Sequence, residues 1–289
     1  MRRWRDAAME STRLVSNRPE LWLAGALSWV ATVGWIPLLV ALAPGPSVAE
    51  LTFFGARMVT SGSWPWNAVL IGLAVLVVVA LAFVVTSVAN AVLIGLLGRR
   101  PASGGDIGRL LAVNVLSALP AVLATATVLA VLAMVAPREF NAPQPAGGPV
   151  LRTIVNLTPY LALFVLTAVG GGALAAAASR VVIRQGIGVV RALRSATALA
   201  IRSASIAHAV LAFLTQLAFI AVAALLLSVL WAPIGVELSG GGGMQLATGL
   251  LLIGFVAIWL CLVLAGGALH AWSAATWSRL LTADPAGRT

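Results

Sequence analysis

The stretch RVVIRQGIGVVRALRSATALAIRSAS, residues 180–205, decides how the rest of the chain is read. It separates two long apolar runs and holds five of the chain's 18 basic residues, all of which are arginine. Wound as one helix at about 100° per residue, it puts Arg180, Arg184, Arg191, Arg194 and Arg202 within an arc of about 80°. Val182, Val189, Leu193, Ala196 and Ala200 fall on the opposite side. A basic face backed by an apolar face predicts an amphipathic helix lying in the membrane surface, its arginines toward water and anionic headgroups. Gly186 and Gly188 are expected to bend it. The apolar runs on either side must then start or end on the arginine side of the bilayer.

Composition agrees with that placement. Hydrophobic residues make up 61% of the 289 and charged residues only 9%, whereas about a quarter of a soluble domain is charged. The chain reads as an integral membrane protein. Its formal net charge of +10 therefore has to be read by position relative to the spans, as attraction to membrane lipids and not to nucleic acid. A single cysteine, Cys261, lies within an apolar run, which leaves neither a disulfide framework nor a cysteine metal site.

The fold class expected is all-α and polytopic. Residues 1–20 form a second amphipathic, interfacial helix, and Pro19 suits the start of the helix that follows. Residues 21–289 form a transmembrane domain of six spans, at about 21–43, 68–97, 110–136, 154–179, 206–231 and 245–281, with the cytoplasmic amphipathic helix at 180–205. The first span resembles a signal peptide ending at Ala41-Leu42-Ala43. Its apolar run is too long for one, and Pro44 would follow the cut, so a retained span is expected. Between spans, Leu51–Val59 reads as a short surface helix, Trp64-Pro65-Trp66 as an interfacial signature, 98–106 as a turn, 137–152 as an irregular loop and Gly240–Gly243 as a turn. Pro120 predicts a kink in the third span. Gly170, Gly171 and Gly172 predict close approach of a neighbour to the fourth. Of the 18 arginines, 15 fall on the side of residues 180–205, and only Arg57, Arg138 and Arg152 fall on the other. The positive-inside rule then places both termini in the cytoplasm, with six spans between them.

Chemistry is harder to find. An ionisable residue inside a span usually marks an ion or proton path, yet all eight acidic residues are expected at the surfaces, with Glu50, Glu139 and Glu237 in outer loops. Carboxylates able to hold magnesium at membrane depth are missing from this reading, as are phosphate loops and dinucleotide fingerprints. No catalytic residue and no cofactor is expected. Uncharged polar groups remain. Asn90, Asn114, Ser117, His208 and His270 fall in the cytoplasmic halves of their spans and Gln216 near a middle. Either they line a vestibule open to the inside, or they hydrogen-bond one helix to the next. His208 and His270 lie at similar depth, but two histidines without a third ligand make a poor metal site.

Two passages carry a resemblance. VVTSVANAVLIGLLGRRPASGGDIGRLL, residues 84–111, and GIGVVRALRSATALAIR, residues 186–202, resemble a span end, basic turn and cytoplasmic segment in a broad group of prokaryotic six-span membrane proteins of unknown function. That group includes the membrane domain fused to some glycerophosphodiester phosphodiesterases. The resemblance implies a six-span membrane domain and supplies no catalytic residue, since the phosphodiesterase domain is absent from this sequence. The function expected is that of a non-catalytic scaffold or subunit of a membrane assembly, partnered by another membrane subunit. The alternative is a transporter permease component with a cytoplasm-facing polar vestibule, partnered by an ATPase. The region between spans four and five lacks the Glu-Ala-Ala and glycine pattern by which importer permeases engage one.

Overall fold

In the computed structural model the arginine stretch is divided among three helices. Residues 2–43, 50, 66–98, 103–141, 148–239 and 246–282 are described. The expected surface helix at 51–59, the dipeptide 64–65, turn residues 99–102 and the glycine turn 240–243 lie outside them. In chain order come α1 (Arg2–Ser16), α2 (Glu20–Trp29), a π-helical turn (Val30–Gly34), α3 (Ile36–Leu42), α4 (Trp66–Gly98), α5 (Gly104–Asn141), α6 (Gly148–Gln185), α7 (Val189–Ala200), α8 (Ser203–Ser239) and α9 (Leu246–Thr282). Among the described residues there is no strand.

The single amphipathic helix expected at 180–205 is thus corrected. Arg180 and Arg184 belong to the end of α6, and the helix stops because Gly186 turns left-handed at φ 65°. Its N–H closes on the Val182 carbonyl at 2.9 Å, the arrangement in which a glycine without a Cβ ends a helix at no steric cost. Gly188 then stands extended as the N-cap of α7. The glycines break the helix where a bend was expected. A second interruption at Ile201 and Arg202 precedes α8.

The first apolar run is also not one straight helix. Glu20–Gly34 and Ile36–Leu42 meet at 51°. Pro37 explains the place, because it offers no N–H to the Val33 carbonyl one turn back and its ring crowds that carbonyl; the strain is taken up in the π turn just before it. Through Pro120 α5 remains helical. The irregular loop expected at 137–152 is shorter than read, since 137–141 complete α5 and 148–152 begin α6.

Among the described residues five helices are long and apolar enough to cross a membrane: Ala80–Gly98, Gly104–Leu132, Leu151–Gln185, Ser203–Ser239 and Leu246–Leu281. The bent pair makes a sixth if it is counted as one span. Their outer surfaces agree, with large apolar side chains such as Val222, Leu225, Val229 and Ile253 exposed, a quantity of bare hydrocarbon that soluble proteins do not carry.

The helices gather into two compact units. In the first (Met1–Trp4, Ser103–Phe213, Trp277–Thr289), α5 packs along α6, and α6 against α7. Gly171 makes the first contact possible, because a Cβ there would run into the Ser117 carbonyl. The start of α5 is held by reciprocal bonds. The Ser103 N–H and Oγ donate to Asp106 Oδ2 at 3.0 and 2.9 Å, and the Asp106 N–H returns to Ser103 Oγ at 3.3 Å, a capping box. Arg109 then reaches the Gly186 carbonyl at 3.1 Å, where α6 leaves carbonyls unpaired. At the far end Arg152 pairs with Glu139 at 2.6 Å.

In the second unit (Arg5–Ala102, Leu214–Thr276), α2 packs on α4, and Leu21, Leu93 and Ala271 are fully buried in one cluster with Val15, Ala274 and Ala275. On α1 the buried positions are 7, 8, 11 and 15, the spacing of a single helix face. Gly25 and Gly267 let α2 and α9 meet backbone to backbone. A Cβ on Gly25 would strike the Gly267 carbonyl, and one on Gly267 would lie 2.5 Å from the Ala26 nitrogen. Beside that contact the Trp29 indole fills the space left by Gly34 and Gly266 and meets Phe219 edge-on at 5.6 Å.

Candidate functional site

The six inner polar residues divide between the two units. Within the second, Asn90 and His270 are brought together as part of a three-helix cluster. Ser28 Oγ donates to Asn90 Oδ1 at 3.3 Å, and His270 Nε2 lies 3.3 Å from the same oxygen, a contact that requires the hydrogen on Nε2. One amide oxygen on α4 thereby accepts from α2 and from α9. Ser28 is fully buried and was missed by sequence reasoning; its spacing of seven residues from Leu21, another fully buried position, was the available signal. Gln216 is half-buried on α8.

Within the first unit His208 is fully buried. The Trp4 indole N–H points to its Nδ1 at 3.4 Å, and Trp277 meets it edge-on at 5.3 Å. No pattern in the sequence links residues 204 positions apart, so this anchoring was not legible. Asn114 is half-buried and hydrogen-bonded or otherwise engaged. Ser117 is buried beneath Gly171, and its hydroxyl has no partner among the described residues.

The arginines separate as the helices do. Arg180 is only 4% exposed, with Nε donating to Ser278 Oγ at 3.0 Å and Nη1 to the Ala176 carbonyl at 2.6 Å. Its expected contact with lipid headgroups is corrected: the residue lies inside the protein, because α6 continues past it in place of a surface helix. Arg184 Nη2 reaches the Ser278 carbonyl at 3.3 Å while the residue stays exposed, as do Arg191, Arg194 and Arg202. On α7 the residues opposite, Ala192 and Ala196, are buried.

Glu237 is a further correction. It falls in the last turn of α8, not in a loop, and takes a hydrogen bond from the Thr248 hydroxyl of α9; its second oxygen is buried without a partner among the described residues. The apolar helix simply runs longer than the hydropathy boundary. Among the described residues no three His, Cys, Asp or Glu side chains converge as metal ligands.

Replacing Asn90 with leucine is expected to cost about 0.6 to 1.7 kcal/mol, the range for interhelical hydrogen bonds in membranes. Denaturation in mixed micelles reads that loss, and a drop several times larger would show that the cluster carries more than one helix contact.

The long apolar helices define a class, a multi-pass helical membrane protein. No protein-family model, curated protein or solved structure matches the chain.

Proposed function

We propose that the chain is a non-catalytic multi-pass protein of the prokaryotic cytoplasmic membrane, acting as a scaffold or as a subunit of a membrane assembly. One observation carries this reading: Asn90 is engaged by Ser28 and His270 across three helices. An amide used in this way holds spans together and leaves its oxygen committed. The topology proposed has six spans, the bent pair counted as one, and both termini inside. Pairing of Arg152 with Glu139 supports it, since one of the three arginines assigned to the outside is thereby neutralised. α1 and α7 lie in the inner surface, where Arg184, Arg191, Arg194 and Arg202 meet anionic headgroups at about 1 kcal/mol each. The likeness to the six-span group of unknown function accords with this.

Purification from native membranes in a mild detergent tests the reading. A second integral membrane protein in stoichiometric amount is the expected result. A stoichiometric ATPase would overturn it in favour of the permease alternative.

A further inference from the structure

An open pocket of about 410 Å³ is built in the second unit by Thr12, Val15, Ser16, Trp22, Thr215, Leu269 and Trp272. Its polar walls are largely spent. The Trp22 indole N–H donates to the Val15 carbonyl at 2.7 Å and that of Trp272 to the Ala8 carbonyl at 3.3 Å. The hydroxyls of Thr12 and Ser16 turn back to their own helix, to the carbonyls of Ala8 at 3.0 Å and Arg13 at 3.2 Å. The lining is therefore mostly carbon, from the two indoles, Val15, Leu269 and the carbon atoms of the hydroxyl residues.

We propose that this pocket binds one acyl chain of an inner-leaflet phospholipid. The inference rests on the membrane reading above. A cleft of this size with hydrocarbon walls has the dimensions and lining of a ligand site, and left empty it would forfeit the contacts its walls can make. Next to a bilayer the apolar species with access is the lipid chain. The headgroup end is provided for too. Arg13 follows the pocket residue Thr12 on α1 and is exposed; Arg5, two turns earlier on the face that carries Thr12 and Ser16, is exposed as well. Both place a cation for a phosphate on the helix that forms one wall of the pocket. The two indole bonds to α1 give the occupant a consequence: a chain in the pocket packs against the rings that fasten α1 to α2 and α9.

The test uses full-length protein stripped of lipid in detergent, with thermal unfolding followed on adding dioleoyl phosphatidylglycerol or dihexanoyl phosphatidylglycerol, which share a headgroup. The long-chain lipid should raise the midpoint and the short-chain lipid should not. Leu269→Trp, and from the other wall Thr12→Phe, should each weaken the long-chain effect about tenfold or more, as expected for losing the burial of several methylenes. Val229→Trp, on an exposed apolar position of α8, should leave it unchanged. Equal stabilisation by both lipids, or an undiminished effect in both pocket variants, would overturn the proposal in favour of headgroup binding or a non-specific lipid belt. Alkaline extraction of membranes, run alongside, separates this from the membrane reading: a protein that resists extraction yet shows no long-chain effect keeps its place in the bilayer and loses the site.

Discussion

Gly267→Val is expected to leave no detectable folded protein, whereas Gly254→Ala on the same helix is expected to be neutral or slightly stabilising. At Gly267 the nearest atoms to an added Cβ are the Trp22 carbonyl and the backbone of Ala26, so no side-chain rotation relieves the clash. Overpacking that flexible side chains absorb costs about 1 to 3 kcal/mol. Here α2 and α9 must separate bodily, which exposes the Leu21, Leu93 and Ala271 cluster behind them. Gly254 has nothing within 4 Å of an added Cβ, and alanine favours a helix interior over glycine by about 0.5 to 1 kcal/mol. Monodisperse elution after detergent extraction reads both variants. A folded Gly267→Val protein would show that the helices do not meet at that glycine.

Trp29→Ala is the second large effect, expected to cost about 3 to 5 kcal/mol, the range for emptying a large aromatic site. Trp29 is 1% exposed, sits where Gly34 and Gly266 leave room for it and touches Phe219. Neither glycine can move a side chain into the void. The same ring also holds the π turn, since Gly34 is that turn's last residue. Trp35→Ala, on a half-exposed ring, should change stability by less than about 1 kcal/mol. Denaturation midpoints in mixed micelles separate the two. Equal losses would mean that the ring of Trp29 is not seated between the glycines.

The contrast between these residues shows what the sequence made legible. Long apolar runs located α4, α5, α6, α8 and α9 to within several residues, because twenty or more hydrophobic residues in succession need no partner to be recognised. Asn90 and His270 stood out for a related reason, as polar groups in apolar surroundings. The break at Gly186 is not legible in periodicity. Five arginines on one arc satisfy helical periodicity across a glycine whose positive φ ends α6. Arg180 shares that arc but belongs to a different axis, and periodicity fixes direction about an axis and not which axis a residue belongs to. The capping box of Ser103 and Asp106 is legible as Ser-x-x-Asp before an apolar run, within residues whose composition also reads as a turn. The bond from Trp4 to His208 and the meeting of Gly25 with Gly267 depend on which helices become neighbours. Local pattern carries no trace of that.

The proposed topology is the claim on which scaffold, headgroup contacts and acyl-chain site all depend, and cysteine labelling in intact cells tests it most directly. In a Cys261→Ala background, single cysteines at Ser61, Gly147 and Gly241 should react with an impermeant thiol reagent supplied outside. Cysteines at Ser103 and at Ser195, exposed on α7, should react only after the membrane is permeabilised. The reverse pattern, with Ser103 and Ser195 labelled from outside and the other three protected, would contradict the account.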